Sequence, residues 1–79
     1  MASLQSEWFH NGCNVKSYRA MFRLAREILL SPEASWKHRR AARRVYDALK
    51  DLIDLPIASA DKLFSARDCF RALLLVLKS

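Results

Sequence analysis

The chain reads as an all-α protein, a three-helix antiparallel bundle with helices over about 14–30, 32–54 and 60–77. Three observations carry this reading. Apolar residues recur at steps of three and four through each stretch, which gathers them on one face of a helix. Asn, Ser and Pro stand where helices begin or stop. One Gly and two Pro in 79 residues leave too few turn formers for a multi-turn β architecture. Hydrophobic residues make up 52% of the chain, enough for a core and too many for a disordered segment. The length allows one domain, with residues 1–13 as a lead-in and 14–79 as the folded unit. A chain so short buries only roughly 60–65% of its unfolded surface, so its core alone is marginal.

The lead-in holds the adjacent aromatics Trp8 and Phe9 and the turn signal Asn11-Gly12. Trp8 or Phe9 is expected to fold back as a lid on the bundle, the alternative being an exposed anchor for a partner chain. In the first expected helix, Val15, Tyr18, Phe22, Ala25 and Leu29 form an apolar stripe. Lys16, Arg19, Arg23 and Arg26 form a second stripe, rotated away from the first. Asn14 is the expected N-cap, its side chain accepting from an orphaned backbone N–H. Ser31-Pro32-Glu33 would open the second helix after a very short link, with Ser31 as cap and Pro32 in the first helical position. That helix has an Ala- and Leu-rich seam (Ala41, Ala42, Val45, Ala48, Leu49, Leu52) and a crowd of arginines at 39, 40, 43 and 44. Arg43 and Arg44 can each pair with Asp47, whereas Arg39 and Arg40 have no local acid. Pro56 ends the helix and Ser59 can cap the next. The third helix presents Leu63, Ala66, Phe70, Leu73, Leu74 and Leu77, and is widened by Phe64, Leu75 and Val76. A helix apolar most of the way round touches something on two sides.

Net charge is +6, unevenly placed: residues 14–50 hold ten basic and three acidic residues, and the remainder four and five. The counterpart of such a face is an acidic protein, a nucleic acid or an anionic membrane surface. Two cysteines, Cys13 and Cys69, are too few for a disulfide framework and are expected as reduced thiols. His10, Cys13, His38 and Cys69 lack metal-ligand spacing. The first residues carry neither a basic start nor an apolar run, and the apolar run 73–77 is too short to span a bilayer. No carboxylate pair, nucleophile–histidine spacing or Gly-rich phosphate loop points to catalysis. A non-enzyme is expected.

Ser17-Tyr18-Arg19-Ala20-Met21-Phe22-Arg23, followed in the second helix by Ala41-Ala42-Arg43-Arg44-Val45-Tyr46-Asp47-Ala48-Leu49, resembles the LYR-motif family of small three-helix mitochondrial adaptors. The resemblance covers roughly 15–78, and is nearest to the branch that stabilises the cysteine desulfurase. Ser17 stands in place of the motif's Leu, and Leu49 where the family usually has Phe. The resemblance implies a non-catalytic accessory subunit in the mitochondrial matrix, or on the matrix face of the inner membrane. Its partners would be an acylated acyl carrier protein and a larger host complex: the desulfurase, a respiratory complex or a mitoribosome particle. It implies no cofactor of the chain's own, only the acyl-phosphopantetheine of the carrier. Tyr18, Arg19, Arg23, Arg40, Arg43 and Arg44 would then meet the carrier's carboxylates and phosphate, Arg being suited to bidentate bonds. Phe22, Val45, Leu49, Phe70 and Leu74 would line a tunnel for the acyl chain. About ten CH₂ groups at roughly 0.8 kcal/mol each represent about 8 kcal/mol of gross burial. The alternative expectation is a small basic helical module that binds nucleic acid or acts as an inhibitor. No base-reading Asn or Gln follows the arginine cluster, which weighs against sequence-specific DNA recognition.

Overall fold

Ser17 sits in extended conformation and its hydroxyl accepts the Ala20 amide at 3.1 Å, so the first long helix starts at Tyr18, leaves Val15 and Lys16 of the expected stripes before it, and buries Leu24, Ala25 and Ile28, of which only Ala25 belongs to the expected apolar stripe. The computed structural model describes residues 4–54 and 60–78. Among them the chain is helical without strands: α1 (Leu4–Cys13), α2 (Tyr18–Leu30), α3 (Trp36–Asp54) and α4 (Ala60–Lys78). The all-α expectation holds, but four helices replace the three expected. The additional one is α1, which occupies most of the expected lead-in.

Helix α1 forms because tertiary contact outweighs its weak local signals. Asn11-Gly12 does not turn the chain. Gly12 lies inside α1, buried, where an added Cβ would collide with Leu74 Cδ2 and sit 3.3 Å from Leu24 Cδ2. The missing side chain lets α1 approach α2 and α4 closely. Trp8 is 2% exposed and belongs to the core, with Leu4 and Phe9 packed partly buried against it. The expected fold-back of the aromatics is therefore found, carried on a helix. Asn14 is not the cap of α2. Its side-chain amide donates to the His10 carbonyl at 2.9 Å and closes the end of α1.

The α2–α3 link also differs. Ser31 precedes Pro32, which disfavours helical backbone for it. At φ −78° and ψ 127°, Ser31 ends α2 with its amide donating to Ile28 O. Helix α3 then starts at Trp36, not Pro32. Ser35 Oγ accepts the His38 amide at 3.3 Å while His38 Nδ1 accepts the Ser35 amide at 3.4 Å. This reciprocal cap, a capping box with His in the usual Glu position, wins over the single contact Ser31 could offer. Ser31 Oγ instead accepts the Glu33 amide, and Arg39 Nη2 donates to the Ser31 carbonyl at 2.8 Å. Leu55, Pro56 and Ser59, expected to end α3 and cap the next helix, lie outside the described residues.

The helices run up, down, up and down. Gln5 Nε2 donates to the Leu77 carbonyl, and Gly12 meets Phe70 and Leu74, so α1 and α4 are antiparallel. Phe22 stacks on Tyr46 at 4.7 Å and Arg39 reaches Ser31, so α2 and α3 are antiparallel as well. Helix α3 makes the largest interfaces, with α4 and α2, while α1 rests mainly on α4. Ile28, Val45, Leu49 and Leu73 are the largest fully enclosed side chains. Ala42 and Ala66 between them allow close helix approach. Among the described residues no polar or charged residue is buried, and no helix is long and apolar enough to cross a membrane.

Candidate functional site

With a core closed to charge, the chemistry lies on the surface. Helix α2 exposes Arg19, Arg23 and Arg26, one per turn, because its apolar residues take the opposite face. Helix α3 exposes Lys37, Arg39, Arg40, Arg43 and Arg44. The structure divides this cluster. Arg39 turns back to Ser31 at the α2 end. Arg43 pairs with Asp47 at 3.9 Å, both side chains well exposed, a contact worth only about 0.3–0.5 kcal/mol. The other expected pairing, Arg44 with Asp47, is not formed.

Arg40 and Arg44 turn the other way. With Lys37 they form one rim of a groove of about 250 Å³ between α3 and α4. Ala41, Cys69, Ala72 and Val76 give it an apolar lining, and Trp36, 67% exposed, lines it as well. Among the described residues none of these three cations has an acidic partner. The groove combines apolar lining, exposed aromatic and unpaired positive charge, which suits an acidic amphipathic ligand. Trp36, Lys37 and Ala72 had no part in the sequence-based site. The step 37, 40, 44 was a legible signal, since it matches one helix face.

Tyr18 is half-buried and lines a separate depression with Val15, Lys16, Ser17, Met21 and Arg67, about 360 Å³ in volume. The five expected tunnel residues are placed differently. Val45 and Leu49 are fully enclosed and Phe70 is 5% exposed, all within the core. Phe22 is partly buried against Tyr46, and Leu74 lies under Gly12 of α1. None of them lines the α3–α4 groove or the Tyr18 depression. In this conformation Val45, Leu49 and Phe70 are enclosed by protein, while Phe22 and Leu74 stay partly open.

Cys13 and Cys69 are free thiols. Among the described residues no group of three or more His, Cys, Asp or Glu is placed to hold a metal ion. His38 instead serves the α3 cap, and its ring lies edge-on to Trp8 at 6.3 Å. Compared with protein-family models, with curated proteins and with solved structures, the chain finds no match.

Proposed function

We propose that this chain is a non-catalytic adaptor of the LYR-motif type, which binds an acidic acyl carrier protein and supports a larger mitochondrial assembly. The observation that supports this most is the exposure of guanidiniums on two adjacent antiparallel helices: Arg19 and Arg23 on α2 and Arg43 on α3, with Arg40 and Arg44 of α3 exposed along the α3–α4 groove. Among the described residues a single weak ion pair, Arg43 with Asp47, occupies these arginines, which leaves most of them to meet carboxylates and phosphate. The reading gives the carrier's acyl chain a place among Phe22, Val45, Leu49, Phe70 and Leu74. Entry then requires α1 to lift, because Gly12 covers Leu74 and Trp8 completes the core. The hydrocarbon would replace the apolar contacts that α1 gives up.

Co-expression in bacteria followed by intact mass spectrometry tests the proposal. The expected result is a roughly equimolar acyl carrier protein bearing a medium or long acyl chain. Arg19→Glu combined with Arg43→Glu should abolish carrier binding with helicity unchanged. A chain that purifies alone, stable and monomeric, overturns the reading. In the loaded complex, amides of α1 should exchange with solvent faster than in the free chain; slower exchange would sink the lifting step.

A further inference from the structure

We infer that the outward face of α4 docks on an anionic phospholipid bilayer, the helix lying flat with Phe64 and Leu75 dipped among the head groups and Arg67, Arg71 and Lys78 at the phosphates. This goes beyond the adaptor reading and shares no residue with the arginines and tunnel positions assigned to the carrier.

Helix α4 has two unlike sides. Ala66, Phe70, Leu73 and Leu77 close into the core. On the opposite side Phe64, Arg67, Asp68, Arg71, Leu75 and Lys78 are all exposed. Phe64 and Leu75 are 63% and 64% exposed. Eleven residues separate them, close to three full turns, so they face the same way about 16 Å apart. Arg67 and Arg71 stand between them and Lys78 one turn beyond, and none of the three has an acidic partner among the described residues. Asp68 is the one carboxylate of this row among the described residues. Lys16 adds positive charge at its edge, where it lines the Tyr18 depression together with Arg67. On the other edge stands Trp36, exposed across the groove that Ala72 and Val76 line. Its amphipathic ring suits the boundary between hydrocarbon and water.

The interleaving of charge and apolar side chains favours a bilayer over a protein. Protein interfaces keep charge out of their buried centre, whereas here a protein covering Phe64 and Leu75 would have to bury Arg67 and Arg71 between them. At a bilayer the long Arg and Lys stems lie along the apolar layer while their heads reach the phosphates. The sign of the row selects anionic lipid. A nucleic acid would engage the arginines but leave Phe64 and Leu75 in water. A second copy of this chain carries +6 and would bring like charge to a basic surface.

The test is co-sedimentation of the full chain with vesicles of phosphatidylcholine, with and without about 30% phosphatidylserine, at about 150 mM salt. Partitioning should be at least about tenfold stronger with phosphatidylserine. Phe64→Gln with Leu75→Gln, which leaves the charge unaltered, should weaken it about tenfold or more. Arg67→Glu with Arg71→Glu should remove it. Arg26→Glu with Lys50→Glu makes the same change in net charge on exposed positions of α2 and α3, and should weaken it by no more than about threefold. Asp68→Lys should tighten it. Should circular dichroism show that the Gln variant has lost helicity, Phe64→Ala with Leu75→Ala replaces it. Equal partitioning into both vesicles overturns the inference. Unchanged binding of the Gln variant does so too, since it would mean Coulomb adsorption alone, as does equal loss in the two charge-reversed variants. A dimer seen by light scattering without lipid, and lost in the Gln variant, would assign the face to self-association instead. Carrier binding that survives Arg67→Glu with Arg71→Glu while vesicle binding is lost separates this surface from the carrier's.

Discussion

Ser17 accepts the Ala20 amide, and replacing Ser17 by Leu would remove that hydroxyl. Ser17→Leu should therefore lower stability by about 1 kcal/mol, or roughly 4–8 °C in melting temperature for a domain of this size. Thermal circular dichroism checks it. Ser35→Ala should cost a similar amount or more, because two reciprocal bonds with His38 are lost together. Trp8 poses a different balance. Its indole Nε1 is buried with no hydrogen-bond partner among the described residues, an arrangement that costs about 1–3 kcal/mol. Trp8→Phe removes that cost while losing part of the packing, so its destabilisation should be well below that of Trp8→Ala, for which about 3–5 kcal/mol is expected. Urea unfolding of the two variants measures the difference. Neither the cap choice nor the orphaned indole can be read from composition. Ser17 and Asn14 are both good caps, and only the position of α1 commits Asn14 elsewhere.

At the scale of the element, α1 is the part that the sequence hid. Its apolar residues are few, and ten residues are too short for a stable isolated helix. It holds its shape because α4 and α2 receive it, with Gly12 at the closest approach. Gly12→Val should push α1 off that seat and cost about 1–3 kcal/mol. The same dependence makes α1 the first helix to open: its amides should exchange with solvent ahead of those of α3, which is packed on two sides. Hydrogen exchange resolved by peptide decides this, and equal protection of the two helices would contradict it. The longer helices were legible. Periodicity located α3 and α4, although α3 begins at Trp36 because the Ser35–His38 cap outcompetes the Ser31-Pro32 start.

Across the whole molecule, charge is the dominant surface property. The chain carries +6, and one exposed ion pair is formed among the described residues. Self-repulsion should then exceed attraction between surface charges. Raising salt from low ionic strength should increase the melting temperature by a few degrees as the cations are screened. A fall would indicate that attractive pairs dominate. The same imbalance explains why the proposed partners are acidic, and why occupying the basic surfaces would stabilise a small domain by mass action.

By itself, the sequence determined the helical class, the two long helices, most of the core and the exposure of the arginines. These follow from periodicity, since the burial of one helix face sets the exposure of the other. Tertiary structure alone decided that a fourth helix forms and that Val45, Leu49 and Phe70, three of the five residues expected to line a tunnel, are closed into the core. It also decided that the arginines of α3 divide between two surfaces. Each of these depends on which neighbour a side chain meets. Arg43 and Arg44 are adjacent in the chain, but one helical step turns them about 100° apart. One pairs with Asp47 beside it, and the other looks across to α4 and borders the groove.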